Sequence, residues 1–117
     1  MHKQLFIPGP IDISPAILNS MSTPLINHRG KEFATLLFSL EKKLQQLFYT
    51  QNPILLAPSS ATGIMEAAIR NLVSKKVLCL CNGGFSDRWY DISLLNGKQA
   101  DKIVADWGTA IKPEDVD

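Results

Sequence analysis

The alternation of short apolar runs with helical segments constrains the fold of this chain more than any other feature. Apolar runs at 54–57, 76–81 and 100–105 each have the length and composition of a buried strand. Strands that are apolar on both faces, with helices between them, are typical of a parallel sheet covered by helices on both sides. The sequence therefore predicts an α/β fold.

Helical periodicity identifies the segments around these strands. Apolar residues recur at helical spacing from 31 to 49, while polar residues fill the opposite face. A second such segment follows the run at 54–57. A third extends from about 85 to 95, where Asn96-Gly97 has the form of a helix stop.

The N-terminal residues have a different character. Pro8-Gly9-Pro10 can form neither regular helix nor central strand, so residues 1–13 are predicted to be an extended arm. Ser14-Pro15 is an N-cap followed by proline, which predicts a short helix to about Met21. We expect 14–117 to be the N-terminal portion of one larger domain.

Composition excludes several classes of function. The 117 residues carry a net charge of +1 with no basic stripe, which argues against a nucleic-acid partner. The N-terminus lacks the pattern of a signal peptide, and no apolar stretch approaches membrane-spanning length, so we expect a cytoplasmic protein without a membrane partner. Cys79 and Cys81 share one face of a strand and are expected to be buried thiols rather than a disulfide or metal site.

Small and hydroxylated residues fill the junction at 57–63, between the first apolar run and its helix. Ligands of parallel α/β sheets bind beyond the carboxyl ends of the strands. The first N–H groups of the helix lack partners, and the helix dipole adds positive charge there. With hydroxyls from Ser59, Ser60 and Thr62, the junction suits a phosphate-sized anion. An ordinary Ser/Thr-capped helix explains the same residues, and neither a Walker A loop nor a G-x-G-x-x-G turn is present.

The next strand–helix junction, "NGGFSDRW" at 82–89, adds an aromatic residue to this edge of the sheet. Gly83 and Gly84 permit close backbone approach, and Phe85 follows them directly. An aromatic side chain near an anion site suits a flat ring that carries a phosphate. Alternatively, Phe85 packs beneath the following helix as a hydrophobic staple.

Taken in order, the motifs of the chain resemble the N-terminal part of class V aminotransferases. These pyridoxal 5′-phosphate (PLP) enzymes include alanine–glyoxylate and serine–pyruvate aminotransferases. The resemblance is carried by "IPGP" at 7–10, "HRGKEF" at 28–33, "PSSATGIMEAAIRNL" at 58–72, "NGGFSDRW" at 82–89 and "DWGTAIKPEDVD" at 106–117. It implies the first part of the large PLP-binding domain of fold type I, a three-layer fold with a mostly parallel sheet that this chain leaves incomplete.

The resemblance also implies roles for individual residues at the cofactor. Ser60, Ala61 and Thr62 match the loop that binds the phosphate of PLP. The family often has glycine at the position of Ala61, but a methyl group leaves the backbone N–H free. Phe85 matches the aromatic residue that stacks on the pyridine ring.

Other implied roles concern the substrate and the assembly. Gly9 matches the place where the family closes its substrate pocket, and His28 and Arg29 fall near the entrance, where a structural ion pair is an equal alternative for them. The family consists of homodimers whose N-terminal arm crosses to the other subunit. The implied reaction transfers an amino group between a small amino acid and a 2-oxo acid.

The resemblance places the catalytic machinery outside this chain. PLP chemistry needs a lysine amine and an acid that protonates the pyridine nitrogen, and in the family both lie beyond position 117. We therefore expect no catalytic residue and no metal ligand here, and an inactive chain when it is alone. Pro113 and the acidic residues after it predict a helix start, which favours the first part of a longer protein over a polar tail on a complete small domain.

Two other classes of function remain open at this point. The chain is alternatively a non-catalytic part of the fold that acts as a subunit or interaction module. The second alternative is an α/β domain that uses its serine-rich loop to bind a different phosphate ligand, such as a nucleotide.

Overall fold

The computed structural model describes residues 3–116 and divides the chain into two compact units, Met1–Ile54 and Leu55–Asp117. We describe each unit by itself. No helix within 3–116 is both long and apolar enough to cross a membrane.

The first unit contains two helices, α1 (Pro15–Met21) and α2 (Lys31–Leu47). The predicted cap of α1 is confirmed, because Ser14 Oγ accepts a hydrogen bond from the N–H of Ile17 at 3.5 Å. Residues 3–13 contain neither helix nor strand, and they bend at 7–10. The carboxylate of Asp12 accepts a 2.7 Å hydrogen bond from the N–H of Leu5, so the two sides of this bend approach each other.

The second unit contains a complete βαβ motif preceded by a helix. Its elements are α3 (Ala61–Leu72), β1 (Lys76–Cys81), α4 (Gly84–Leu95), β2 (Gln99–Val104) and a 3₁₀ turn at Pro113–Asp115. The two strands are parallel and in register from Lys76 opposite Gln99 to Cys81 opposite Val104. The prediction of an α/β fold with a parallel sheet is confirmed.

Within residues 3–116, the buried residues lie on α3, β1 and α4, where α3 packs against α4 and α4 packs against the sheet. They are Ile69 of α3, Cys79 and Cys81 of β1, and Ile92 and Ser93 of α4. Cys79 and Cys81 are buried while their neighbours Leu78 and Leu80 are exposed, so the prediction that both thiols share one face is confirmed.

Two predicted elements differ from the structure. The run at 54–57 is not a strand: within 3–116 the sheet joins β1 to β2 only, and Leu55 is 90% exposed. A strand needs a neighbouring strand for its backbone N–H and C=O groups, and this run has none there. The helix predicted at Pro113 is a single 3₁₀ turn, capped by a 2.8 Å hydrogen bond from the N–H of Lys112 to Asp115.

Candidate functional site

The N-terminus of α3 is the first part of the candidate site. Ser60 is the N-cap, with an extended backbone, but its side chain makes no capping hydrogen bond. The N–H groups of Ala61 and Thr62 open the helix and therefore have no partner within it. Both the hydroxyl of Ser60 and these two N–H groups are thus available to an anion.

Gly63 allows the loop before α3 to lie close to the helix. A Cβ atom at this position would stand only 3.1 Å from Ser59 Oγ. The hydroxyl of Ser59 donates to the carbonyl oxygen of Ser60 at 3.0 Å, which ties the loop to its own backbone. Glycine at position 63 therefore leaves room for the Ser59 side chain to keep its hydrogen bond to Ser60, whereas a larger residue would crowd it.

Arg88 of α4 connects the two predicted junctions. Its Nη1 donates a 2.9 Å hydrogen bond to Oγ1 of Thr62, in the first turn of α3. Arg88 lies in the motif at 82–89, but no role for it was predicted from the sequence. The available signal was its spacing, because residues three apart in a helix share a face and Arg88 follows Phe85 by three.

The loop between β1 and α4 is held by a group of hydrogen bonds. Ser86 Oγ accepts from the N–H of Asn82 at 2.9 Å and lies 2.8 Å from the carbonyl oxygen of Gly83, to which it donates. Phe85, the second residue of α4, is 64% exposed. Its ring is therefore available to a ligand and is not packed beneath α4 as the alternative interpretation expected.

A cavity of about 380 Å³ lies at the start of α4, lined by Gly84, Phe85, Arg88 and Trp107. Trp107 stands close to the backbone of Gly84, since a Cβ atom there would lie 4.0 Å from Trp107 Cη2. Two aromatic side chains and a guanidinium group are suited to a flat aromatic anion. Trp107 was not predicted as a site residue either, because its only signal in the sequence is its place in the motif at 106–117.

Cys81 is the last residue of β1, directly before the loop that leads into α4. Burial raises the pKa of the Cys81 thiol, and the nearby carboxylate of Asp87 acts in the same direction. Cys81 Sγ lies 3.7 Å from the carbonyl oxygen of Ser86. The thiol is thus a neutral, buried group at neutral pH, which is the state of a structural cysteine rather than a nucleophile.

The residues predicted for the substrate lie in the first unit. Gly9 is part of the bend at 7–10, with open space where a Cβ atom would stand. The backbone N–H of Arg29 donates to Oδ1 of Asn27 at 3.0 Å, in the turn before α2. The roles of Gly9 and Arg29 at a substrate pocket stay predictions, as do those of Thr62 and Phe85 at the cofactor. Thr62 and Phe85 lie in one unit, where Arg88 hydrogen-bonds to Thr62 and lines the same cavity as Phe85.

Known proteins with similar sequences include several aminotransferases. An uncharacterised aminotransferase of Methanocaldococcus jannaschii is 36% identical over 118 positions, covering 99% of this chain and 31% of that protein. Serine–glyoxylate aminotransferase of Methylorubrum extorquens is 34% identical, covering 99% of this chain and 30% of its own length. A relative described as the small subunit of a soluble hydrogenase from Synechococcus is 36% identical, covering 95% of this chain and 29% of that protein. No protein-family model matches the sequence.

Solved structures agree on the fold. Aspartate aminotransferase of Thermus thermophilus matches with a TM-score of 0.85 and 31% identity, over 93% of this chain and 32% of that one. Phosphoserine aminotransferase of Cytophaga hutchinsonii matches with a TM-score of 0.80 and 33% identity, over 92% and 32% of the two chains.

The chain is an α/β chain whose sequence and fold are similar to those of aminotransferases. More closely, the predicted resemblance is confirmed: the chain is related to aminotransferases of the serine–glyoxylate and alanine–glyoxylate type and has the fold of the first part of their large domain. It spans about a third of the length of the relatives that it matches.

Proposed function

We propose that this chain forms the phosphate-binding and ring-binding part of a PLP-dependent class V aminotransferase. The whole protein would transfer an amino group between a small amino acid and a 2-oxo acid. The observation that carries the proposal is the junction of Thr62, Arg88 and Phe85, which brings a helix N-terminus to an aromatic cavity within an aminotransferase fold.

The residues present fit the cofactor. A cavity of about 380 Å³ lies within the usual size range for a small ligand. Ser60 Oγ and the N–H groups of Ala61 and Thr62 would bind the phosphate, since no helical bond occupies them. Phe85 would cover one face of the pyridine ring.

Each group has a separate task in this arrangement. PLP, when bound, supplies an electron sink for the substrate's α-carbon. The helix N-terminus and the hydroxyls of Ser60 and Thr62 would hold the phosphate, and the exposed ring of Phe85 would fix the plane of the cofactor. We assign Gly9 and Arg29 to the substrate pocket on the resemblance alone.

We further propose that the chain is inactive by itself. The amino-group transfer requires a lysine amine and an acid at the pyridine nitrogen, and the resemblance places neither within these 117 residues. A cytoplasmic location and a homodimeric whole protein are part of the same proposal.

Binding is tested with pyridoxine 5′-phosphate, which lacks the aldehyde of PLP and cannot react with surface lysines. We expect saturable shifts of the backbone NMR signals at 60–63 and 84–88 on titration of the chain. Pyridoxine without the phosphate should bind at least about tenfold more weakly, because the anion contacts are lost. Equal or tighter binding of ATP or NAD at the same residues would contradict the proposal, as would the absence of saturable shifts.

The ring contact and the missing activity have their own tests. Phe85→Ala should weaken pyridoxine 5′-phosphate binding while leaving inorganic phosphate binding unchanged, because it removes the ring contact alone. The chain with added PLP should not transfer an amino group from alanine or serine to glyoxylate. Turnover in that assay would contradict the proposed inactivity.

A further inference from the structure

We propose that Arg88 is a positioning residue for the anion: it orients the hydroxyl of Thr62 toward the phosphate and supplies positive charge beside it. This inference rests on the proposed function. It assigns a role to a residue that the resemblance left without one.

The hydrogen bond between Arg88 and Thr62 restricts the direction in which the Thr62 hydroxyl can donate. Arg88 Nη1 donates to Thr62 Oγ1 at 2.9 Å. A guanidinium group has no acceptor, so the hydroxyl proton of Thr62 cannot point back at Arg88. The hydroxyl is thereby left with its own proton to donate elsewhere, and a donor that also accepts a charged hydrogen bond is strengthened.

The position of Thr62 places its hydroxyl group where an anion would bind. Thr62 lies in the first turn of α3, where the N–H groups have no helical partner and the dipole favours negative charge. A hydroxyl held there as a donor complements the same anion as the N–H groups. Without Arg88, the Thr62 hydroxyl is free to rotate and to donate to backbone carbonyls instead.

The positive charge of Arg88 is also available to an anion. Within 3–116 no carboxylate forms an ion pair with Arg88, whereas Arg70 of α3 pairs with Glu66 at 2.7 Å. The Arg88 side chain also lines the cavity that contains Phe85 and Trp107. Its charge therefore acts at the boundary between the phosphate loop and the ring-binding cavity.

The test measures the dissociation constant of pyridoxine 5′-phosphate by NMR titration of the full 117-residue chain and its variants. Arg88→Gln should raise the constant about tenfold or more, as expected when a charge-assisted contact is lost. Arg88→Lys, which keeps the charge but not the planar fork, should recover only part of this loss. Arg70→Gln is the matched control and should change the constant less than about twofold, because its charge lies at the other end of α3.

A second variant separates positioning from a direct effect of charge alone. Thr62→Val removes the hydroxyl with little change of shape. If Arg88 acts through Thr62, the double variant Arg88→Gln/Thr62→Val should bind less weakly than the product of the two single effects predicts. Fully multiplicative effects would overturn the positioning role. Backbone NMR spectra that match the unchanged chain away from the substitution establish that each variant is folded.

The outcomes distinguish this inference from the proposed function. If the unchanged chain binds pyridoxine 5′-phosphate and Arg88→Gln binds it equally well, the inference about Arg88 is wrong and the proposed function stands. If the unchanged chain does not bind, both are wrong.

Discussion

Ser86 Oγ accepts a 2.9 Å hydrogen bond from the N–H of Asn82, joining the end of β1 to the first turn of α4. The Asn82 side chain in turn donates to the carbonyl oxygen of Thr109 at 2.8 Å. The loop is therefore held on two sides, by α4 and by the segment after β2. Because Phe85 and Arg88 both lie in the first turns of α4, their positions depend on this loop.

Ser86→Ala should lower the free energy of unfolding by about 1 kcal/mol, since the N–H of Asn82 loses its partner in a half-buried loop. Urea denaturation of the two chains measures the difference. Ser74→Ala, at an exposed serine before β1, is the control and should change stability by less than about 0.5 kcal/mol. An equal effect of the two substitutions would contradict the role of the Ser86 hydroxyl.

Ile69 and Leu72 lie on the same helix but differ in their environment. Ile69 is 3% exposed and Leu72 is 82% exposed. Ile69→Val should lower the free energy of unfolding by about 1 kcal/mol, because it removes one buried methylene group from a small core. Leu72→Ala deletes more atoms, but from an exposed side chain, and should change the same quantity by less than about 0.5 kcal/mol. The reverse order in urea denaturation would contradict the burial that the structure shows.

Local signals made most of the helices predictable. The Ser14-Pro15 cap and the Asn96-Gly97 stop each act within one helical turn, and α1 and α4 begin and end close to the predicted residues. Strand β1 was predictable for the same reason, because its apolar run is short and bounded by polar residues. None of these signals depends on where distant parts of the chain lie.

Relations between distant residues were not predictable from local patterns. The apolar run at 54–57 has the composition of a strand, but strand formation depends on a neighbouring strand and not on the run itself. The bond between Arg88 and Thr62 joins residues 26 positions apart, which no helical or strand period relates. The sequence therefore indicated Thr62 and Phe85 singly, while the hydrogen bond from Arg88 to Thr62 and the cavity that Arg88 shares with Phe85 required the structure.

Gly97 ends α4 with a φ of +70°, a conformation that disfavours any residue with a Cβ atom. Gly97→Ala should lower the free energy of unfolding by about 1 kcal/mol. Gly83→Ala is the matched control, because Gly83 is extended, with a φ of 166°, and no atom lies within 4 Å of a Cβ atom placed there. Thermal or urea unfolding of both variants tests the difference, and an equal loss in both would exclude the left-handed backbone as its cause.

Cys81 should make the stability of the chain depend on pH in the alkaline range. Burial raises the pKa of its thiol in the folded chain, so the folded state keeps this proton at a pH where the unfolded state has released it. The unfolded state then binds fewer protons, and the free energy of unfolding falls as pH rises above about 8.5, the usual pKa of cysteine. Below that pH the contribution is fully present. Urea denaturation at a series of pH values between about 7 and 10 measures the slope.

Comparison with Cys81→Ala isolates the contribution of this thiol. The variant loses stability at every pH, because a buried sulfur atom is removed from the core, but its stability should fall less steeply with rising pH. The two chains differ at this one side chain, so the difference between their slopes reports on the Cys81 thiol. Equal slopes would mean that the thiol has the same pKa in the folded and unfolded chain, in conflict with its burial at the end of β1.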